Sequence, residues 1–154
     1  SRRPKEGEFS TVRSKTMAAV RSKNTKPEMA VRRGLHARGF RFRLHVDSLP
    51  GRPDIVLPKY RAAIFVHGCF WHGHDCGRTS LPATNRSYWV TKIARNIKRD
   101  RDTLRALASA EWRTLVIWEC AIFGKRALSS DEVIDFVERW LKGFAPSVSL
   151  AGRC

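Results

Sequence analysis

The sequence predicts an α/β fold: a single domain with a central mixed β-sheet flanked by helices. Three observations carry that expectation. The chain has 154 residues, 42% of them apolar and 10% aromatic, which suffices for one buried core and falls short of two ordinary domains. Short apolar runs alternate with longer stretches of helical period, as they do where helices cover a sheet. Two of those runs, Ala62-Ala63-Ile64-Phe65-Val66 and Thr114-Leu115-Val116-Ile117-Trp118, are apolar almost throughout, the pattern of strands buried on both faces.

The elements follow in order. Residues 1–13 form a basic arm with few apolar side chains, expected to be mobile until something binds it; the folded domain is expected over 14–143, and 144–154 reads as a tail. A short helix is expected around Ser14–Arg21. Thr25-Lys26-Pro27-Glu28 then has the order of a capping box, with a hydroxyl at the N-cap, proline in the first turn and a carboxylate at N3. That helix should run to about Arg38 and stop at Gly39. Phe42, Leu44 and Val46 alternate with Arg41, Arg43 and His45, the period of a strand with one solvated face. After the turn Leu49-Pro50-Gly51, the runs Asp54–Leu57 and Ala62–Val66, joined by Pro58-Lys59-Tyr60-Arg61, read as a β-hairpin. A long helix fits Tyr88 to about Ala108, with Trp89, Ile93, Ile97, Leu104 and Leu107 at helical spacing and Lys92, Arg95, Lys98, Arg99 and Arg105 forming a basic side. Strand Thr114–Trp118 and an amphipathic helix over Asp131–Leu141, with Val133, Ile134, Val137 and Trp140 inward, complete the order.

Thirty Lys and Arg against fourteen Asp and Glu leave a net charge of +16. Charge on that scale is a statement about partners, because neutralising phosphates releases counterions. It is also polarised: residues 1–43 hold thirteen Lys/Arg and three Glu, whereas Ser129–Lys142 holds four acids and two bases. Nucleic acid is the expected partner, with Arg13, Lys15, Arg21 and Lys23 as candidate DNA contacts. A merely solubilising surface or an anionic membrane is the alternative, though the arm lacks a clear amphipathic membrane pattern. No run approaches the roughly 20 apolar residues of a membrane span, and SRRPKEGEFS has no apolar run behind its charges. A cytoplasmic, nucleoid-associated monomer is expected.

Two groups of residues suggest metals. Cys69-x4-His74-x-Cys76 follows one buried strand and Cys120 follows the next; three thiolates and an imidazole are the closed, soft set of structural zinc. His72 competes with His74 for that role, Cys154 offers another thiol, and an ordinary buried Cys120 beside a surface histidine is the plainer reading. Asp54, at the entrance of its strand, suits a hard cation such as Mg²⁺, which takes one or two protein oxygens and completes itself on substrate phosphate. Many nucleases carry Asp/Glu-x-Lys eleven to twelve residues later; this chain has Phe65-Val66-His67, so a backbone carbonyl near Val66 is the available oxygen and His67 stands where the lysine would. His67, His72 and His74 fall close together, and a spare imidazole beside a metal can take a proton from water. Against this, an aspartate after proline is common in turns, buried histidines are often satisfied by carbonyls, and the capping box accounts for Glu28. Phe70-Trp71 in a polar loop either pack over the zinc or are displayed to stack on bases; Trp89 is a third candidate, its helical spacing with Ile93 favouring the core.

Ser48-Leu49-Pro50-Gly51-Arg52-Pro53-Asp54, Val66-His67-Gly68-Cys69-Phe70-Trp71-His72 and Trp118-Glu119-Cys120 together resemble the bacterial very-short-patch mismatch repair (Vsr) endonucleases, over roughly Ser14 to Gly124. The resemblance implies a restriction-endonuclease-like fold and an enzyme that recognises thymine mispaired with guanine, the product of 5-methylcytosine deamination, and nicks on the 5′ side of that thymine. It implies that Asp54 and the main-chain carbonyl of Val66 hold Mg²⁺, that His72 is the general base oriented by Asp100, and that His67 and Glu28 are further active-site residues. It assigns Cys69, His74, Cys76 and Cys120 to structural zinc, and Phe70, Trp71 and Trp89 to the DNA beside the mismatch. Gly73 departs from the pattern, since relatives can carry another histidine there. Two rival readings stay open: a non-catalytic, zinc-stapled reader of distorted DNA, and a restriction-like endonuclease acting on paired DNA.

Overall fold

The computed structural model of the protein describes residues 25–74 and 81–153. The expected helix around Ser14–Arg21, the candidate DNA contacts Arg13, Lys15, Arg21 and Lys23, and both Cys76 and Cys154 lie outside them. In the described residues α1 (Lys26–Ala37) leads into β1 (Arg43–Leu44), β2 (Ile55–Leu57) and β3 (Ala62–His67). α2 (Arg86–Ser109), β4 (Arg113–Trp118), α3 (Ser130–Lys142) and β5 (Ser147–Leu150) follow. The strands lie in one sheet in chain order; β1–β2 and β2–β3 are antiparallel, β3–β4 and β4–β5 parallel. The mixed α/β sheet expected from the sequence is present.

Successive strand residues point to opposite faces, and both faces of β3 and β4 are covered. Ala62, Ile64, Leu115 and Ile117 pack with Val31 and Leu35 of α1 and with Val133, Ile134, Val137 and Trp140 of α3. Ala63, Phe65 and Val116 face the other way, onto Leu107, Leu104 and Trp112. Helices α1 and α3 thus cover one face and α2 the other, which is why these two strands read as unbroken apolar runs.

Several expectations are corrected. The strand read over Phe42–Val46 pairs only at Arg43–Leu44, because His45 takes a left-handed backbone at φ +47° and leaves the ladder. The segment read as a tail supplies β5, whose residues Ser147–Leu150 pair with Thr114–Ile117, and Leu150 enters the core. Helix α2 begins at Arg86, two residues before Tyr88, after Asn85 at φ +58°. Helix α3 opens on a complete capping box: Ser129 Oγ accepts the Glu132 N–H at 3.1 Å and the Glu132 carboxylate accepts the Ser129 N–H at 3.0 Å. Its last carbonyls, on Trp140 and Leu141, accept from the Arg113 guanidinium. No helix among the described residues is long and apolar enough to cross a membrane.

The parallel register sets His67 opposite Trp118. Cys69 and Cys120, each two residues further on, therefore leave the sheet at the same end.

Candidate active site

Asp54 enters the site from a turn that only unusual backbone permits. Gly51 has φ +72°, and a Cβ built on it would come within 2.2 Å of the Thr103 methyl on α2, so a larger residue would push turn and helix apart. Past that turn the Asp54 carboxylate accepts the Val66 N–H at 2.8 Å, which fixes it across the hairpin. Burial pushes the Asp54 carboxyl up to about 7; the Val66 N–H pulls the other way, and the neighbouring Glu28 carboxylate adds to the rise.

Glu28 is 1% exposed. At the N-terminus of α1 the hydroxyl half of the expected cap is present, with Thr25 Oγ1 accepting the Glu28 N–H at 3.3 Å. The Glu28 carboxylate, however, faces Arg32 Nη1 at 3.0 Å and His45 Nε2 at 3.0 Å from each oxygen. It therefore belongs to the site as well as to the helix end. Glu28, His45 and Asp54 each present a ligand atom within 4.8 Å of the others. Buried Glu28 and half-buried Asp54 repel when both are charged, and a divalent cation relieves that repulsion, so the two carboxylates fit a hard cation.

A second group lines the same cleft, an opening of about 290 Å³ bordered by Asp54, Val66, His67, His72, Arg99 and Asp100 among others. His72 Nδ1 lies 2.5 Å from Asp100 Oδ2. The His67 and His72 rings stack face to face, 3.7 Å apart and 1° from parallel. Burial pulls the His67 imidazole down to about 3, with the adjacent His72 contributing, so His67 stays neutral at ordinary pH.

The sulfur cluster lies beyond. Cys69, Cys120 and His74 bring their ligand atoms within 4.8 Å of one another, and His74 Nδ1 is 3.7 Å from Cys120 Sγ. Tetrahedral zinc with Zn–S of 2.3 Å and Zn–N of 2.05 Å spaces such a pair by about 3.6 Å, so these three residues fit the metal. His74 is also stacked on Trp118, with centroids 4.2 Å apart. Of the two competing histidines, it is His74 that joins the thiols and His72 that turns to Asp100. Two cysteines buried together without a disulfide also suit this donor set.

Phe70, Trp71 and Trp89 form a cluster, with centroids 5.1 to 5.7 Å apart, and all three are half-buried. Trp89, whose spacing favoured the core, thus sits with the loop aromatics. Beside them Tyr88 is 58% exposed. Buried Asn96 of α2 anchors the loop, its Nδ2 donating to the Trp71 carbonyl at 2.7 Å while its Oδ1 accepts from Arg99 at 2.8 Å.

The model of the family described as DNA mismatch endonuclease Vsr matches residues 9–78. The chain is 40% identical over 138 residues to the DNA mismatch endonuclease Vsr of Escherichia coli (strain K12), covering 90% of this chain and 88% of that protein. The chain belongs to the Vsr family of DNA mismatch endonucleases. It is accordingly an enzyme of the endonuclease class. Other Vsr-like relatives carry the name of nicking enzymes: V.XorIIP of Xanthomonas oryzae pv. oryzae is 52% identical over 114 residues, covering 74% of this chain and 84% of that one. V.NmeAIP of Neisseria meningitidis is 42% identical over 113 residues, covering 73% and 81%.

Sequence reasoning missed two residues of this Vsr-family site. The alternation of its segment places His45 on the solvated face of a strand, and its left-handed backbone carries no composition signal. Asn96 stands among the basic residues of its helix, although a lone short amide one turn from Lys92 on the apolar side of the longest described helix is a usable hint of a buried polar anchor.

Proposed function

We propose that this protein is a Mg²⁺-dependent mismatch endonuclease that nicks the strand 5′ to the thymine of a T:G mismatch, the lesion left by 5-methylcytosine deamination, and so begins very-short-patch repair. One observation supports this most: Asp54, with the buried Glu28 carboxylate beside it, and a histidine–carboxylate pair, His72 with Asp100, meet at one cleft that Asp54, His72 and Asp100 line. A reader of distorted DNA has no use for both.

Asp54 and the main-chain carbonyl of Val66 would hold Mg²⁺ with Glu28 beside it, and the cation would neutralise charge developing on the phosphoryl oxygens and the leaving 3′ oxygen. With its Nδ1–H directed at Asp100, His72 keeps the Nε2 lone pair for the proton of the attacking water. Asp100 sets that tautomer and offsets the charge the ring gains. The new P–O bond forms as the P–O3′ bond breaks, leaving a 3′-hydroxyl and a 5′-phosphate. Neutral His67, stacked on His72, holds the plane of the ring without competing for the proton. Arg52 and Arg99 edge the cleft and suit a phosphate backbone.

The remaining parts fit the same reading. Cys69, His74, Cys76 and Cys120 hold a structural zinc. Phe70, Trp71 and Trp89 enter the duplex beside the mismatch, which is easier to open than a true pair. Arg13, Lys15, Arg21 and Lys23 neutralise phosphates. An antiparallel hairpin continued by parallel strands, with helices on both faces, supports a restriction-endonuclease-like core. The enzyme acts as a monomer in the cytoplasm, at the nucleoid.

The test compares a T:G duplex with its fully paired counterpart, with and without Mg²⁺. Nicking of the T:G duplex alone, 5′ to the thymine and only with Mg²⁺, is expected. Equal cleavage of both duplexes would make the enzyme restriction-like; tight binding without any nick would leave a lesion reader.

A further inference from the structure

The proposed chemistry gives His45 nothing to do, yet the chain places it with care. Strand β1 ends at Leu44, and His45 takes φ +47°, a region that a residue with a Cβ enters at a cost of roughly 1 kcal/mol or more. Backbone bonds on either side hold the turn: the His45 N–H donates to the Asp54 carbonyl at 3.1 Å and the Val46 N–H to the Pro53 carbonyl at 3.3 Å. The turn takes the imidazole out of the alternation of its strand and sets Nε2 3.0 Å from both oxygens of Glu28.

His45 is thus tied through its backbone to Asp54 and through its ring to Glu28. These two carboxylates come from different elements, one from the hairpin and one from α1. Arg32, which also holds Glu28, rides on the same helix, so its bond to Glu28 does not tie that helix to the hairpin. We propose that His45 is a positioning residue that holds the Glu28 carboxylate at a set separation from Asp54, so that the two acids present a preformed cation site. The inference rests on Glu28 and Asp54 serving a cation. In this role His45 acts through Glu28, as outer partners of metal ligands do.

The test uses His45→Asn, His45→Gln, Glu28→Gln and the double variant Glu28→Gln/His45→Asn. Asparagine tolerates a left-handed backbone but is too short to reach Glu28, so the fold survives while the contact is lost. Glutamine carries an N–H donor to the position of Nε2. Single-turnover nicking of a T:G duplex is measured over a range of Mg²⁺, and the His45→Asn protein is crystallised. His45→Asn is expected to raise the Mg²⁺ needed for half-maximal nicking about tenfold, with duplex affinity within about twofold, while His45→Gln stays within about threefold of the parent. The double variant should be no worse than Glu28→Gln alone, because both changes remove one interaction. In the crystal, Glu28 should swing away from Asp54. A parental Mg²⁺ requirement with Glu28 unmoved, or fully additive losses, overturns the proposal. If Glu28→Gln nicks as the parent does, the reading of Glu28 as a site residue falls instead, and this inference with it.

Discussion

Asp54 carries a tension between stability and chemistry. Its carboxyl is pushed up to about 7 in the fold, first by burial, while in the unfolded chain it titrates near 3.8. A raised carboxyl pKa means that ionisation costs the folded state. That cost is absent below about pH 4, accumulates through the window up to about 7 and is complete above it. Asn keeps an oxygen for the Val66 N–H and has no charge to bury. Without divalent cation, Asp54→Asn should therefore be more stable than the parent by on the order of 2 kcal/mol at pH 8, and the difference should vanish near pH 4 in urea titrations. A difference that stayed constant with pH would mean that the Asp54 environment does not oppose its charge. His67 works in the opposite sense: its pKa is lowered, so acid weakens the fold as the unfolded chain takes up a proton below about 6.5. Asp54 was legible in the sequence because Arg52-Pro53-Asp54 stands directly before an apolar run. His45 was not, because a left-handed φ at a residue with a Cβ has no signature in the sequence pattern and is held by contacts with Asp54 and Pro53 across the turn.

At the scale of elements, the loop after β3 carries the most chemistry per residue. It is pinned to α2 by Asn96 at the Trp71 carbonyl and by His72 at Asp100. Gly73 explains how it lies so close to the helix. Its φ is +66°, and a Cβ there would meet Ile97 at 2.5 Å and Ile93 at 2.8 Å, so in this chain the position favours glycine. The same anchoring holds Trp71 against Trp89 with its ring partly in solvent. Trp71→Ala is expected to weaken binding to a T:G duplex by roughly 1–3 kcal/mol and to leave affinity for the paired duplex nearly unchanged, as read by fluorescence anisotropy. Equal losses on both would remove the wedge. The long helix could be read from its period, and the hairpin and the strand at Thr114 from unbroken apolar runs, because those strands are covered on both faces. Strand β5 could not: Ser147-Val148-Ser149-Leu150 is short and half polar, and it becomes a strand only by pairing in parallel with distant β4.

At the scale of the molecule, the sheet delivers two sites at one end. The register His67 opposite Trp118 brings the two strand ends together, and the sulfur cluster then ties the loop after β3 to the turn after β4. If that cluster holds zinc, atomic absorption should find one zinc per chain, and Cys120→Ser should lose it and lower Tm by about 10 °C; a parent free of zinc would refute the staple. The sequence showed where thiols and imidazoles gather but left His72 and His74 exchangeable, and the packing of His72 on His67 and of His74 on Trp118 separates them. The account as a whole turns on Asp54 as the group through which the cleft engages a cation at the scissile phosphate. Single-turnover nicking of a T:G duplex by Asp54→Asn, alongside its affinity for the same duplex, tests that directly. Nicking should fall by about a thousandfold or more with affinity within about threefold. A variant that nicks within about tenfold of the parent, or that loses binding and nicking together, would contradict it.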